Sequence, residues 1–402
     1  MVLPAGARGD GREAMTAPQK FRAACYTIEG LNSFAVVIFF NYLYFFCRDE
    51  FGFDNKHSLA LAAFIGLIYT FASWQAGKLA ARFGYFAALK TGFAIMAVGL
   101  LVGSQMPTAP RVIACACVVN LGMCMIWPTI EAMVSEGAVA ADAVGLYNIT
   151  WAATNALAYF IGGTLLEKLG YRSIFYVPLA FMLVQLGVVI WLQKSLGHPV
   201  EPAAAEHQAT TPTEVVPAAE RTNFKQLAWL ANPFAYIAIN TLLAVIPDIA
   251  HKFHLSPMLA GFTCSLWCFV RLGMFVCLWC WTGWHYRFRW LATAFGLLIV
   301  SFATILIAPS LALLFVAQVL FGGAIGLIYY SSLFYSMDAS DTKSEHGGIH
   351  EAAIGVGNCL GPALGAASLQ FLPQYASSGA VAVSVLLLGG LGGLLVVRKR
   401  AR

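Results

Sequence analysis

Twelve apolar runs, each long enough to cross the roughly 30 Å hydrocarbon core of a bilayer as a helix, take up most of this sequence. They lie at 23–47, 58–80, 86–105, 111–134, 144–166, 173–193, 227–248, 258–283, 289–308, 311–336, 347–372 and 377–397. Inside lipid every backbone N–H and C=O must bond within the protein, so runs of this length read as helices. A soluble fold is excluded on the same grounds. Only 11% of the residues are charged and 59% are hydrophobic, against roughly 25% charged in a soluble domain, too few to cover a surface facing water. The fold class is therefore all-α and polytopic, with the lipid bilayer as solvent.

The runs fall into two sets of six. Between them lies the stretch 194–226, rich in Ala, Pro, Glu and Thr, whose composition suits a flexible linker. The expected organisation is a tail at 1–22, a six-helix half at 23–193, the linker at 194–226, a second half at 227–397 and a basic tail at 398–402. Residues Met1–Lys20 are polar and rich in Gly, Ala and Pro, without the apolar core of a signal peptide. The first run is thus expected to stay as a span. Lys and Arg accumulate on the cytoplasmic side of a membrane. With both termini placed there, 17 of the 24 fall inside and 6 outside, leaving Arg271 within a span. Both termini are accordingly expected in the cytoplasm, in a plasma membrane (for a bacterium, the inner membrane), and the chain is expected to be a monomer.

The halves also match one another. A shift of 202 positions lays Ile126 on Ile328, Trp127 on Tyr329, Glu136 on Asp338, Gly145 on Gly347 and Gly163 on Gly365. Parallel repeats of this kind are an architecture of secondary transporters. The short loop between the second and third spans reads Gly77-Lys78-Leu79-Ala80-Ala81-Arg82-Phe83-Gly84-Tyr85-Phe86, with Lys90 following. It resembles the signature loop of the major facilitator superfamily in Gly77, Gly84, Leu79, Ala80 and Arg82. It departs at Ala81, where that family usually has Asp, and at Tyr85 and Phe86, where basic residues are common. The Asp helps hold the family's outward-facing state by a charge contact between halves, a contact Ala81 cannot make. A second motif, Gly357-x-x-x-Gly361-Pro362-x-x-Gly365, is similar to one that drug antiporters of the superfamily carry in the fifth helix, here at the pseudo-symmetric place in the eleventh. It fits export, and equally close helix packing. The resemblance covers nearly the whole chain. It implies two pseudo-symmetric six-helix halves that move a small-molecule solute by alternating access.

Ionisable residues inside spans are costly and hence functional candidates. Arg271 lies near the middle of the eighth run, where it would bind an anionic group or favour ionisation of a nearby carboxyl. Because arginine keeps its charge at any working pH, it is not itself a proton carrier. Glu29 in the first run and Glu131 in the fourth are candidates for proton coupling, since a carboxyl withdrawn from water holds a proton more readily. The resemblance places both helices beside a central cavity. Alternatively they form a cytoplasmic gate by pairing with Arg22, Arg82 or Lys90. Asp248 ends the seventh run. Around these stand Asn41, Tyr42, Trp127, Asn240, Trp267, Tyr329 and Tyr330 as polar or aromatic groups for a solute site. Gating is expected of Gly77, Arg82, Gly84, Lys90, His350, Glu351, Gly361 and Pro362. Protons are the expected coupling ion, because no phosphate-binding G-x-x-x-x-G-K-[ST] loop is present.

Other chemistries find less support. His346, His350 and Glu351 suggest a metal-dependent membrane enzyme if a helix starts early enough to align the histidines, but Gly347 and Gly348 between them favour a loop. The ten cysteines lie in or beside apolar runs, and the C-x-x-C at Cys277 and Cys280 has no second pair, so packing is expected of them. A net charge of +5 without a basic patch outside the helix ends gives no sign of nucleic acid. No cofactor is implied. A receptor or scaffold that moves nothing is the remaining alternative.

Overall fold

The computed structural model describes residues 16–105, 108–135, 140–195, 216–338 and 343–400, without side chains at 17–18, 135, 140–144, 337–338 and 343–349. Arg8, Arg12, Arg402, the centre of the linker, Glu136 and the side chains of Asp338 and His346 lie outside the described residues. The described residues form thirteen helices: α1 (Ala17–Phe51), α2 (Asn55–Phe83), α3 (Tyr85–Ser104), α4 (Ala109–Ser135), α5 (Ala140–Leu169), α6 (Ser173–Ser195), α7 (Ala218–Lys252), α8 (Pro257–Cys264), α9 (Leu266–Cys280), α10 (Phe288–Ile307), α11 (Leu311–Asp338), α12 (Lys343–Phe371) and α13 (Ser378–Arg400). Helices α8 and α9 form one span, so twelve segments are long and apolar enough to cross a membrane. Large apolar side chains such as Phe71, Val184 and Val300 point outward, as a lipid-facing surface requires.

Three boundaries differ from the expectation. Helix α1 starts at Ala17, where Thr16 accepts from the Gln19 N–H and Gln19 answers on the Thr16 N–H, a reciprocal cap. Helix α7 starts at Ala218, well ahead of 227, so polar residues outside the apolar run still take helical form. Gly347 and Gly348 lie within α12, not in a loop. Two glycines cost helix propensity of roughly 1 kcal/mol each, which packing along the rest of a long helix outweighs.

The eighth run is not continuous either. At Ser265 the backbone N–H still bonds the Gly261 carbonyl, but Cys268 N–H reaches back only three residues to the Ser265 carbonyl, at 2.9 Å. That tightened turn falls just ahead of Trp267 and Arg271.

The repeat is visible in how the halves meet. A β-carbon added to Gly163 on α5 would stand 1.9 Å from the Pro257 carbonyl oxygen at the start of α8. Its pseudo-symmetric partner Gly365 on α12 meets Leu59 of α2, and Gly66 of α2 meets the Asn358 backbone of α12. Residues without a side chain let helices of opposite halves approach backbone to backbone. Gly361 has the same use within the second half, against the Ile237 carbonyl of α7. Pro362 lies inside α12 beside it.

Candidate functional site

Where the halves face each other they enclose a cavity with about 180 Å³ open to the centres of water-sized molecules. Both halves supply its wall: α1, α2, α4 and α5 from one, α7, α9, α11 and α12 from the other. Of the residues singled out in the sequence, Glu29, Glu131, Asn41, Trp127, Asn240, Trp267, Arg271, Tyr329 and Glu351 line it.

Arg271 is 4% exposed. Its guanidinium lies over two indole rings, Trp151 at 4.5 Å and Trp267 at 4.9 Å from the ring centroids, an arrangement that offsets part of the cost of burying a cation. One terminal nitrogen donates to Asn155 Oδ1 at 3.0 Å. Its Nε–H is buried without a partner. Among the described residues no carboxylate approaches it within ion-pair distance.

Three carboxyls share the same cavity. Glu29 is fully buried and accepts from Ser33 Oγ at 2.8 Å and Trp127 Nε1 at 3.1 Å. Its second oxygen has no partner. Glu351, also buried, accepts from the Tyr69 hydroxyl. Glu131 lines the wall beside Tyr147, and its Oε1 is unpartnered. Among the described residues neither Glu29 nor Glu131 forms an ion pair with Arg82 or Lys90. Lys90 instead donates to Gln193 at 2.9 Å. Asn240 donates to Asn358 Oδ1 across α7 and α12, and both line the cavity.

Two expected residues are absent from the wall. Tyr42 is buried between α1 and α5, donating to the Tyr159 carbonyl and filling the space that Gly162 leaves open. Tyr330 packs on Phe275 and Trp284. Both are aromatic packing residues here. Glu351, expected to serve gating, stands on the cavity wall. Its neighbour His350 turns away, buried, with its ring 6.0 Å from Tyr329 and Nε2 unpartnered. Among the described residues no group of three His, Cys, Asp or Glu could hold a metal. All ten cysteines are free thiols.

Trp151 and Tyr147 stand on the wall without having been singled out in the sequence, whereas Asn155 is one of the polar residues within spans from which a solute site was expected. The spacing could have found Trp151: it and Asn155, four apart on one helix face, match Trp267 and Arg271, also four apart, on the facing helix.

The halves are also tied at the end of the bundle that holds the α1–α2 and α7–α8 connections. Asp248 of α7 pairs with Arg48 at 3.3 Å and accepts from Asn55 at 3.1 Å, both from the first half. Glu167 of α5 accepts from the Met258 backbone N–H of α8 at 2.8 Å. At the opposite end lies the α2–α3 loop. Gly84 there has φ +87°, a left-handed conformation that glycine adopts without strain. Arg82 rests over Phe83 and Lys78 over Trp74, and Gly77 lies in the last turns of α2.

A sequence profile described as Major Facilitator Superfamily matches residues 23–345. The chain belongs to the major facilitator superfamily. It is an integral, multi-pass membrane protein of a family that transports solutes. Solved structures of the superfamily share its fold. The human organic anion transporter MFSD10 (TETRAN) aligns with a TM-score of 0.64 and 12% identity, over 94% of this chain and 100% of that one. A variant of the nucleoside transporter NupG aligns at 0.65 and 14% identity, over 95% and 98%. A search of curated protein sequences finds no match. At these identities the likeness concerns the fold.

Proposed function

We propose that this superfamily member carries a small organic solute by alternating access and couples the movement to protons. The observation that carries the reading is the cavity itself: both halves build it, and it combines one arginine with three buried or half-buried glutamates. In the rocking scheme for this architecture, a site between the repeats is exposed to each side in turn. With both termini in the cytoplasm, the end tied by Arg48, Asp248, Asn55 and Glu167 faces outward. The arrangement then corresponds to the state closed to the outside.

Glu29, Glu131 and Glu351 are the groups proposed to load and release the proton. Among the described residues Arg271 is the one permanent cation on the wall, and it balances one negative charge. A solute anion and an ionised glutamate therefore compete for the same countercharge, and the carboxyl that yields takes up a proton. Competition for one countercharge links the two cargoes without a direct contact between them. Asn41, Asn240, Trp127 and Tyr329 are proposed as the remaining solute contacts. Gly77, Arg82, Gly84 and Lys90 are proposed to serve closure at the cytoplasmic end, where Ala81 leaves the family's usual acidic latch unfilled. His350, Gly361 and Pro362 belong to the packing of α12 against α11 and α7, about which the second half would rock.

Proteoliposomes loaded with a pH-sensitive dye test the proposal. Mixtures of metabolites are added outside while the lumenal pH and solute content are followed. Solute entry accompanied by lumenal acidification is expected. Entry that moves no protons and ignores an imposed pH gradient would refute the coupling.

A further inference from the structure

The donors left unspent in the cavity point to the charge of the solute. Arg271 and Trp267 sit four residues apart on one face of α9 and both line the cavity. Each keeps an N–H buried without an acceptor, Nε–H of Arg271 and Nε1–H of Trp267. Orphaned buried donors are costly, and a cation without a countercharge costs more. Ser33, Asn155 and the two tryptophans do not supply that charge. The glutamates do not reach Arg271 within ion-pair distance, although they share the same cavity. The missing partner is an oxygen-rich anion small enough to lie between α5 and α9.

The rest of the wall describes the other end of that molecule. Val36, Val37 and Phe40 of α1, Ile65 of α2, Met123 of α4 and Ile239 of α7 form an apolar surface around the same space. Removing such surface from water on binding contributes about 25 cal/mol per Å². A bare inorganic anion would leave it unused.

We propose that the cavity binds an organic monoanion. Its oxyanion group accepts from Arg271 and Trp267, and its apolar body lies along α1, α2 and α4. This rests on the transport reading for its purpose, but the binding site stands on the geometry alone. A primary amine is the rival, because three glutamates could receive it, and the test below includes one.

The experiment uses full-length purified protein in detergent and four probes on one skeleton: phenylacetate, the neutral phenylacetamide, the cationic phenethylamine and the zwitterionic phenylglycine. A ligand that binds only the folded form raises the melting temperature in proportion to the logarithm of its concentration. Phenylacetate is expected to stabilise the protein, with an affinity at least about tenfold above that of the other three. The substitution Asn155→Asp places a carboxylate of nearly unchanged shape on the Arg271 guanidinium and is expected to abolish the phenylacetate response. Arg271→Gln should do the same. Should either variant fail to fold, the four-probe comparison on the unaltered protein still decides. Equal stabilisation by the amide or the amine, or none by phenylacetate up to its solubility, overturns the proposal. Two further results separate this inference from the transport reading. Phenylacetate binding without flux in proteoliposomes would remove the transport reading and keep the site. Flux of phenethylamine without any response to phenylacetate would keep transport and remove the site.

Discussion

Glu29 keeps one carboxylate oxygen without a partner although none of its surface reaches bulk water. A side chain held only for packing would be cheaper as a glutamine or an apolar residue. The unspent oxygen is what a proton carrier needs, since it must be able to bind a proton and later give it up. Glu29→Gln keeps size and the contacts to Ser33 and Trp127 while removing the titration. Solute exchange across proteoliposomes should survive, whereas accumulation driven by a pH gradient should fall at least about tenfold. Retained accumulation would move the coupling to Glu131 or Glu351. How far such roles are legible in a sequence differs from residue to residue. Arg271 stands out at once, because an arginine within an apolar run has few uses. Tyr42 misleads, because an aromatic hydroxyl near the end of a span looks the same in sequence whether it bonds a solute or, as here, the carbonyl of Tyr159. Only the path of the neighbouring helix separates the two.

At the scale of helices, the number of spans was open to sequence and their faces were not. In a soluble amphipathic helix the apolar stripe marks the buried side. A span is apolar on its lipid side and its packed side alike, so α11 and α13 carry no such stripe to read. Trp151 escaped for this reason, and so did the break at Ser265, which involves neither Gly nor Pro. Helix starts are more legible, because caps use particular side chains. Asp54 caps α2, accepting from the His57 backbone N–H at 2.9 Å and standing 2.7 Å from the ring Nδ1. Slight burial pushes its carboxyl up, but the hydrogen bonds and charge of His57 outweigh this and hold it below its ordinary 3.8. A carboxyl held low when folded contributes stability above the ordinary carboxylate range and loses it as pH falls through its folded value. Asp54→Ala should therefore cost about 1 kcal/mol near neutral pH, less after screening at this exposed site, and the difference from the parent should shrink under acid conditions. Thermal unfolding in detergent at both pH values checks the sign.

Over the whole molecule, the two-fold repeat explains which contacts cross between halves. Gly163 and Gly365 are 202 positions apart, and each admits a helix of the other half. Sequence alone aligned the two glycines, but it gave no hint that each faces across the divide. The charged tie that accompanies them is modest. Asp248 is half exposed and Arg48 a quarter exposed, and such pairs contribute about 0–1 kcal/mol. Reversing one charge with Arg48→Asp should shift the population away from the state closed at this end by no more than about fivefold. Restoring the pair in reverse, with Asp248→Arg added, should recover most of it. Spin-label distances between α1 and α7 would measure both, and raised salt should mimic the single variant. No shift in either variant would leave closure at that end to the glycine contacts and the Glu167–Met258 hydrogen bond.

The start of α8 carries a further consequence. Its first residue is a proline without an N–H, Leu259 N–H is met by Ser256, and Ala260 N–H by the Ser256 carbonyl. Met258 N–H is left to Glu167, which belongs to the opposite half. The helix is thus fully capped only while the halves touch. When they part, the Met258 N–H gives up this acceptor and turns to water, which already reaches the exposed Glu167. Glu167→Ala should therefore leave the first turn of α8 short of one acceptor and ease the parting of the halves only slightly, a change that spin-label distances between α5 and α8 would measure.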